Sequence, residues 1–134
     1  MSFVWQKEFE TGIKSIDDQH KILVSMIDEL ETAVVEKKSD EFLEVILSKM
    51  IKYVAKHFSH EEKTFIFTKY SDADNHMREH EKLKQQVLDF HTKVQAKTAN
   101  VDQTILDFLK TWLTEHIMKT DKKYIAHFNS KNVQ

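Results

Sequence analysis

The stretch DEFLEVILSKMIKYVAKHFSHEEKTFIF, residues 40–67, decides the fold class of this chain. Its apolar side chains recur every three or four residues, as at Leu43, Ile46 and Met50, and this is the period of one face of an α-helix. The stripe continues to His57, so the sequence predicts a long amphipathic helix with an imidazole on its buried face. An imidazole is unusual on an apolar helix face, so the position of His57 requires a chemical explanation.

Three further stretches show the same period and predict an all-α protein. The single Gly and the absence of Pro remove most of the residues that interrupt helices. Four helices with short polar connections predict an antiparallel up-down four-helix bundle. We expect one domain over residues 1–134, with an N-terminal arm at about 1–16, helices at about 18–37, 40–67, 72–97 and 101–120, and a short C-terminal tail.

Short polar side chains mark the predicted starts of the first two helices. Asp17 or Asp18 is expected to cap the first helix, and Ser39 or Asp40 is expected to cap the second, because their side-chain oxygens can accept from free backbone amides. Gly12 is expected to mark a turn in the arm.

Composition argues against several classes of function. The formal net charge is -2 and both signs are spread along the chain, which argues against nucleic-acid binding. No apolar run reaches the length of a membrane span and the first residues lack a signal-peptide layout, so we expect a cytoplasmic protein that does not enter the membrane. Because the sequence contains no Cys, a transition-metal site must use His and carboxylate ligands.

Four of the eight His residues fall on predicted apolar faces. His57 and Glu61 are four residues apart, so they present two metal-ligating groups about one turn apart on one helix face. His76 and His80 have the same spacing, and His116 lies on the apolar stripe of the fourth helix. The spacing suits one metal ion or two neighbouring ones.

The up-down topology brings these residues to one end of the bundle. His20 and His76 lie near the starts of helices that run the same way, and His57 and His116 lie near the ends of the other two. Several imidazoles and acids buried there without partners would be costly, and a metal ion would satisfy them. Because Asp121 follows His116 by five residues, which turns it away on a regular α-helix, we predict a π-bulge or the helix end there.

The metal hypothesis depends on this convergence, because a single inward His is more often a hydrogen-bonded core residue. His60, His91 and His127 fit surface positions or helix ends better than the predicted site. Glu62 is predicted to be a solvated neighbour of Glu61.

Trp5 and four histidine-containing motifs follow one another along the chain. They are Trp5, Ile16-Asp17-Asp18-Gln19-His20, His57-Phe58-Ser59-His60-Glu61-Glu62, His76-Met77-Arg78-Glu79-His80 and His116-Ile117-Met118-Lys119-Thr120-Asp121. With this set in this order, the chain resembles the hemerythrin family, in particular the small bacteriohemerythrins, over almost its whole length.

The resemblance implies a non-haem centre of two iron ions (Fe2+/Fe3+) with an open position for dioxygen. It also implies that a hydroxo or oxo group joins the irons together with two carboxylates. The implied ligands are His76, His80 and His116 on one iron and His20 and His57 on the other, with Glu61 and Asp121 bridging both.

The resemblance further implies an apolar pocket around the dioxygen position. By family position its walls are Phe58, Leu113 and Ile117, with Trp112 packing nearby. Such walls would hinder the entry of water and anions.

The function implied by the resemblance is reversible dioxygen binding, as a carrier, store or deliverer, and no enzyme activity is expected. Imidazole-rich ligation supports this, because fewer anionic ligands stabilise high-valent iron less, and the Glu-x-x-His motif of ferritin-like oxidases is absent. Two alternatives stay open: a di-iron enzyme (peroxidase, nitric-oxide-handling protein or ferroxidase), and a dioxygen or redox sensor acting through a separate partner. A protein that receives the dioxygen is a further open alternative, and a monomer is expected.

Overall fold

Four long helices form the body of the protein in the computed structural model, which describes residues 3–134. The first packs against the second and the fourth, and the second packs against the third. The predicted all-α four-helix bundle is confirmed. The helices are α1 (Lys14–Val35), α2 (Asp40–Thr68), α3 (Ala73–Gln95) and α4 (Gln103–Glu115).

Short helical segments flank this bundle at both ends of the chain. A 3-10 helix at Lys7–Phe9 lies in the N-terminal arm. After α4 the backbone continues as a π-helix at His116–Thr120, a 3-10 helix at Asp121–Tyr124 and α5 at Ile125–Ser130. The π-helix bears out the change of helical period predicted between His116 and Asp121.

Helix α1 begins earlier than predicted, and the expectation that Asp17 or Asp18 caps it is wrong. Asp17 lies inside the helix, and its carboxylate accepts from the backbone amides of Thr11 (2.8 Å) and Gly12 (3.1 Å). Its carboxylate therefore holds the preceding turn, where Gly12 has the positive φ of 82° that a side chain disfavours. Asp18 instead pairs with Lys14, at 2.6 Å.

Side-chain caps do fix the starts of α2 and α4. The Ser39 hydroxyl accepts from the Phe42 amide at 3.2 Å, which confirms the predicted cap of α2. Asp102 accepts from the Thr104 amide at 3.0 Å, so α4 begins at Gln103 and not at about residue 101. Helix α3 ends at Gln95, two residues before the predicted end.

Two apolar clusters fill the interior. The main core runs along the four long helices and contains buried side chains such as Leu30, Leu47 and Leu106. The second, called here the end cluster, consists of Ile13, Ile16, Phe65, Tyr124 and Phe128. The end cluster closes the end of the bundle at which α1 and α3 begin, so polar groups between the two clusters are shielded from solvent on both sides.

Within residues 3–134, the structure contains no helix that is both long enough and apolar enough to cross a membrane.

Candidate metal centre

Seven buried polar side chains meet between the main core and the end cluster. Each is at most 4% exposed, although His, Glu and Asp are normally surface residues. They come from all four long helices and from the segment that follows α4: His20 from α1, His57 and Glu61 from α2, His76 and His80 from α3, and His116 and Asp121 from the π-helix and the 3-10 helix after it.

Asp121 faces three of the histidines. Its Oδ1 atom lies 2.9 Å from His116 Nε2 and 3.1 Å from His76 Nε2. Its Oδ2 atom lies 2.9 Å from His20 Nε2. The two oxygens thus point to two different groups of imidazoles, as a carboxylate bridging two metal ions would.

Glu61 joins the remaining two histidines. Its Oε1 atom lies 3.0 Å from His57 Nε2 and 3.4 Å from His80 Nε2. The possible ligand atoms form two groups of four, within which all atoms lie inside 4.8 Å of one another. The groups share Glu61, so they define two adjacent positions for metal ions: Glu61, His76, His80 and His116 in the first, and His20, His57, Glu61 and Asp121 in the second.

The π-helix explains how His116 and Asp121 reach the same position. On a regular α-helix five residues turn the chain through about 500°, which separates the two side chains by about 140° around the axis. The π-helical turn at His116–Thr120 adds the residue needed to bring Asp121 under His116. The backbone amide of Asp121 donates to the His116 carbonyl.

Unpartnered atoms test whether these residues fit a metal. The Nε2 atoms of His20, His57 and His76, and all four carboxylate oxygens of Glu61 and Asp121, are buried and make no hydrogen bond of acceptable geometry with the described residues. Burying carboxylate oxygens and imidazole lone pairs without hydrogen bonds is unfavourable, whereas a cation placed among them satisfies every one. Imidazole and carboxylate are suitable ligands for iron and several other divalent metals.

The histidines keep both acids ionised. Burial and the charge of Asp121 raise the pKa of Glu61, but the imidazoles of His57 and His80 outweigh them and hold that pKa below its ordinary value. Burial also raises the pKa of Asp121, but three imidazoles, chiefly that of His116, hold it well below its ordinary value. Both groups are therefore carboxylates at neutral pH and are available as ligands.

Two histidines of the cluster have their outward nitrogen held by another side chain. His57 Nδ1 lies 2.7 Å from the side-chain amide oxygen of Gln19 (Oε1). His80 Nδ1 lies 2.9 Å from a carboxylate oxygen of Glu62. The prediction that Glu62 is merely solvated is therefore wrong, since its side chain is only 26% exposed and it contacts the cluster.

Aromatic and aliphatic side chains cover the side of the cluster that faces the main core. Phe58 stacks on His80 with ring centroids 3.8 Å apart, and Trp112 stacks on His116 at 5.0 Å. Phe58, Leu113 and Ile117 are each at most 1% exposed. The four residues predicted for the pocket wall lie in or against the main core: Phe58, Leu113 and Ile117 within it, and Trp112 packed against it.

Tyr124 is a neighbour of the cluster that the sequence pattern did not single out. Its ring stacks on His76 with centroids 5.6 Å apart, and its hydroxyl is buried without a hydrogen bond to the described residues. Burial, together with the charges of Asp121 and Glu61, raises the pKa of Tyr124 well above its ordinary value, so it stays a neutral phenol. The sequence signal that could have identified Tyr124 is its position one turn after Asp121.

The other three histidines lie outside the cluster. His60 Nε2 is 3.4 Å from the Ser15 hydroxyl. His91 pairs with Glu44 at 2.7 Å, and His127 lies 2.9 Å from the Thr68 carbonyl. All three are partly buried, so they lie apart from the cluster, as predicted, but are less exposed than the predicted surface placement.

A cluster of histidines and carboxylates buried among four helices is typical of the metal-binding four-helix bundle proteins, and this protein has the architecture of that class. Residues 11–128 match the family model of the Hemerythrin HHE cation binding domain. This chain therefore belongs to the hemerythrin family, as its motifs predicted.

Individual relatives agree with this membership. The chain is 36% identical to a bacteriohemerythrin of Methylococcus capsulatus, over 87% of this chain and 88% of that protein. It is 32% identical to a bacteriohemerythrin of Clostridium acetobutylicum, over 92% of this chain and 98% of that protein. A crystal structure of wild-type hemerythrin superposes with a TM-score of 0.87 at 34% identity, covering 90% of this chain and 93% of the other.

Proposed function

We propose that this protein binds dioxygen reversibly at a non-haem di-iron centre and acts as an oxygen carrier, store or deliverer. The observation that supports this most directly is the set of buried, unpartnered nitrogen and oxygen atoms contributed by seven side chains. Membership of the hemerythrin family supports iron as the metal. The predicted cytoplasmic location and monomeric state stay predictions.

We assign one iron to His76, His80 and His116 and the other to His20 and His57, with the two carboxylates between them. The distances from Asp121 and Glu61 to these histidines support the assignment, because each carboxylate faces imidazoles of both groups. When bound, the iron pair supplies the electrons and the free coordination position that reversible dioxygen uptake requires.

The residues around the cluster suit binding better than turnover. Phe58, Leu113 and Ile117 are buried and offer neither an acid nor a base to a bound ligand. Such a wall excludes water, which would otherwise solvate and release a reduced oxygen species. Asp121 and Glu61 are held as carboxylates by their histidines and are positioned to ligate metal, so neither is free to act as a general acid.

The direct test is the visible spectrum of the iron-loaded protein through one cycle of reduction, exposure to air and removal of dioxygen. A charge-transfer band that appears with air and fades on deoxygenation, with two irons per chain throughout, is the expected result. Prompt and permanent conversion to a ferric form would contradict reversible binding and favour an enzyme or sensor role. Fewer than two irons per chain would contradict the di-iron centre itself.

A further inference from the structure

We propose that Glu62 and Gln19 widen the difference in affinity between the two metal positions, with Glu62 strengthening metal binding by His80 and Gln19 giving His57 weaker support. Glu62 and Gln19 are positioning residues here, since each acts through a histidine and not on the metal. The inference rests on the proposed function, because it requires that the cluster holds two irons.

The contact between Glu62 and His80 is a hydrogen bond to a charged acceptor. His80 Nδ1 lies 2.9 Å from Glu62 Oε2, within the usual range for a charge-assisted bond. A carboxylate can only accept, so His80 Nδ1 carries the proton and Nε2 keeps its lone pair for the interior. The negative charge also makes that lone pair more basic and hence a stronger metal ligand.

The equivalent contact at the other position is neutral. His57 Nδ1 lies 2.7 Å from the side-chain amide oxygen of Gln19 (Oε1). This acceptor also favours the tautomer with the proton on Nδ1, but it adds no charge. The second histidine of that position, His20, is fully buried, and its Nδ1 atom makes no hydrogen bond with any residue of the described part of the chain. Among the described residues each position thus has one histidine whose Nδ1 atom is held by a side chain, and only the partner of His80 carries a charge.

Both supporting residues are direct sequence neighbours of a predicted ligand. Gln19 precedes the ligand His20 and reaches across from α1 to α2, and Glu62 follows the ligand Glu61 and reaches across from α2 to α3. Each therefore orients an imidazole on the neighbouring helix. The difference in charge between an amide and a carboxylate is then the main difference between the two supports.

Iron release to a chelator measures this inequality. The full-length protein is loaded anaerobically with ferrous ions, freed of excess, and titrated with a ferrous chelator such as ferrozine. Wild type should release its two irons in two separate steps. Glu62→Gln should weaken the tighter step by about 10- to 100-fold, the usual effect of removing such a partner, and leave the weaker step unchanged. Gln19→Glu should tighten the weaker step.

Glu81→Gln is the matched control. Glu81 is exposed, adjoins His80 in sequence and carries the same charge, but it faces Lys84 at 3.6 Å and makes no hydrogen bond to a cluster histidine in the part of the chain described. This variant should leave both steps in place. Thermal unfolding of the iron-free variants supplies the second readout, because a purely structural role of Glu62 would lower the melting temperature and weaken both steps together.

Three outcomes would overturn the inference. They are identical release curves for Glu62→Gln and Glu81→Gln, weakening of the looser step by Glu62→Gln, and no tightening by Gln19→Glu in a folded protein. Wild type with two irons and a reversible spectrum would in these cases leave the proposed function intact. Wild type with fewer than two irons would overturn both.

Discussion

At one end of the bundle, the buried Glu31 of α1 meets the ammonium of Lys110 from α4. At the other end, the buried carboxylate of Asp121 meets only imidazole nitrogens. Both ends take charge out of water. Only the first end pairs it with an ammonium group, whereas the second gathers two carboxylates and five imidazoles with unpartnered atoms that an added cation would satisfy.

The largest effect should come from removing a ligand at the metal end. Glu61→Ala removes one of the two carboxylates that face both groups of histidines, so iron content should fall from two ions to one or none per chain and the charge-transfer band should disappear. His91→Ala removes an imidazole at the opposite end and should keep both irons. Iron analysis of the two purified variants checks this. Equal loss of iron from both variants would contradict the claim that only one end of the bundle binds metal.

A cavity at the opposite end should affect stability but not iron. Leu47 lies near the start of α2 and is 0% exposed. Leu47→Ala should lower the free energy of unfolding by about 2–5 kcal/mol, through lost burial and the cavity left behind. Urea unfolding measures the loss and iron analysis of the folded fraction measures the site. Iron content well below that of wild type would show that the two ends are not independent.

Iron removal should destabilise the protein through the metal end alone. With free ferrous ion at about one hundred times its dissociation constant, binding adds about 2.7 kcal/mol to the free energy of unfolding. The iron-loaded protein should therefore melt at a higher temperature than the iron-free protein in scanning calorimetry. Glu61→Ala, which holds fewer irons, should show a smaller gain or none. The same melting temperature with and without iron would mean that the ion does not bind the folded cluster.

The smallest effect should come from the cap of α2, at the end far from the cluster. Ser39→Ala removes the acceptor for the Phe42 amide and should lower the free energy of unfolding by about 1 kcal/mol. The iron-release curve should match that of wild type. A change in iron release from so remote a variant would argue that metal binding depends on the whole bundle.

Periodicity and spacing predicted much of this molecule. The four amphipathic stripes predicted the bundle, because each needs a buried partner face. The topology then predicted that His20, His57, His76 and His116 share one end, since alternate helices run in opposite directions. The separation of His116 from Asp121 predicted a π-bulge or the helix end, because a regular α-helix turns residues five apart away from each other, and the structure has a π-helix there.

What the sequence could not supply depends on contacts between elements. Glu62 follows a buried residue on the same helix and its pattern is that of a solvated acid, yet its long side chain reaches His80 on α3. Asp17 has the composition of a helix cap, but whether it caps or holds the preceding turn depends on the path of the arm at Gly12. Tyr124 lies beyond the predicted fourth helix, where no periodic stripe remains.

The most direct test of the central claim is a crystal structure of the iron-loaded protein with anomalous scattering collected at the iron edge. We expect two peaks of anomalous density between Glu61 and Asp121, one against His76, His80 and His116 and the other against His20 and His57. A single peak would contradict the paired centre. Peaks elsewhere, or no peak in fully loaded crystals, would contradict the claim that this buried cluster is the metal site.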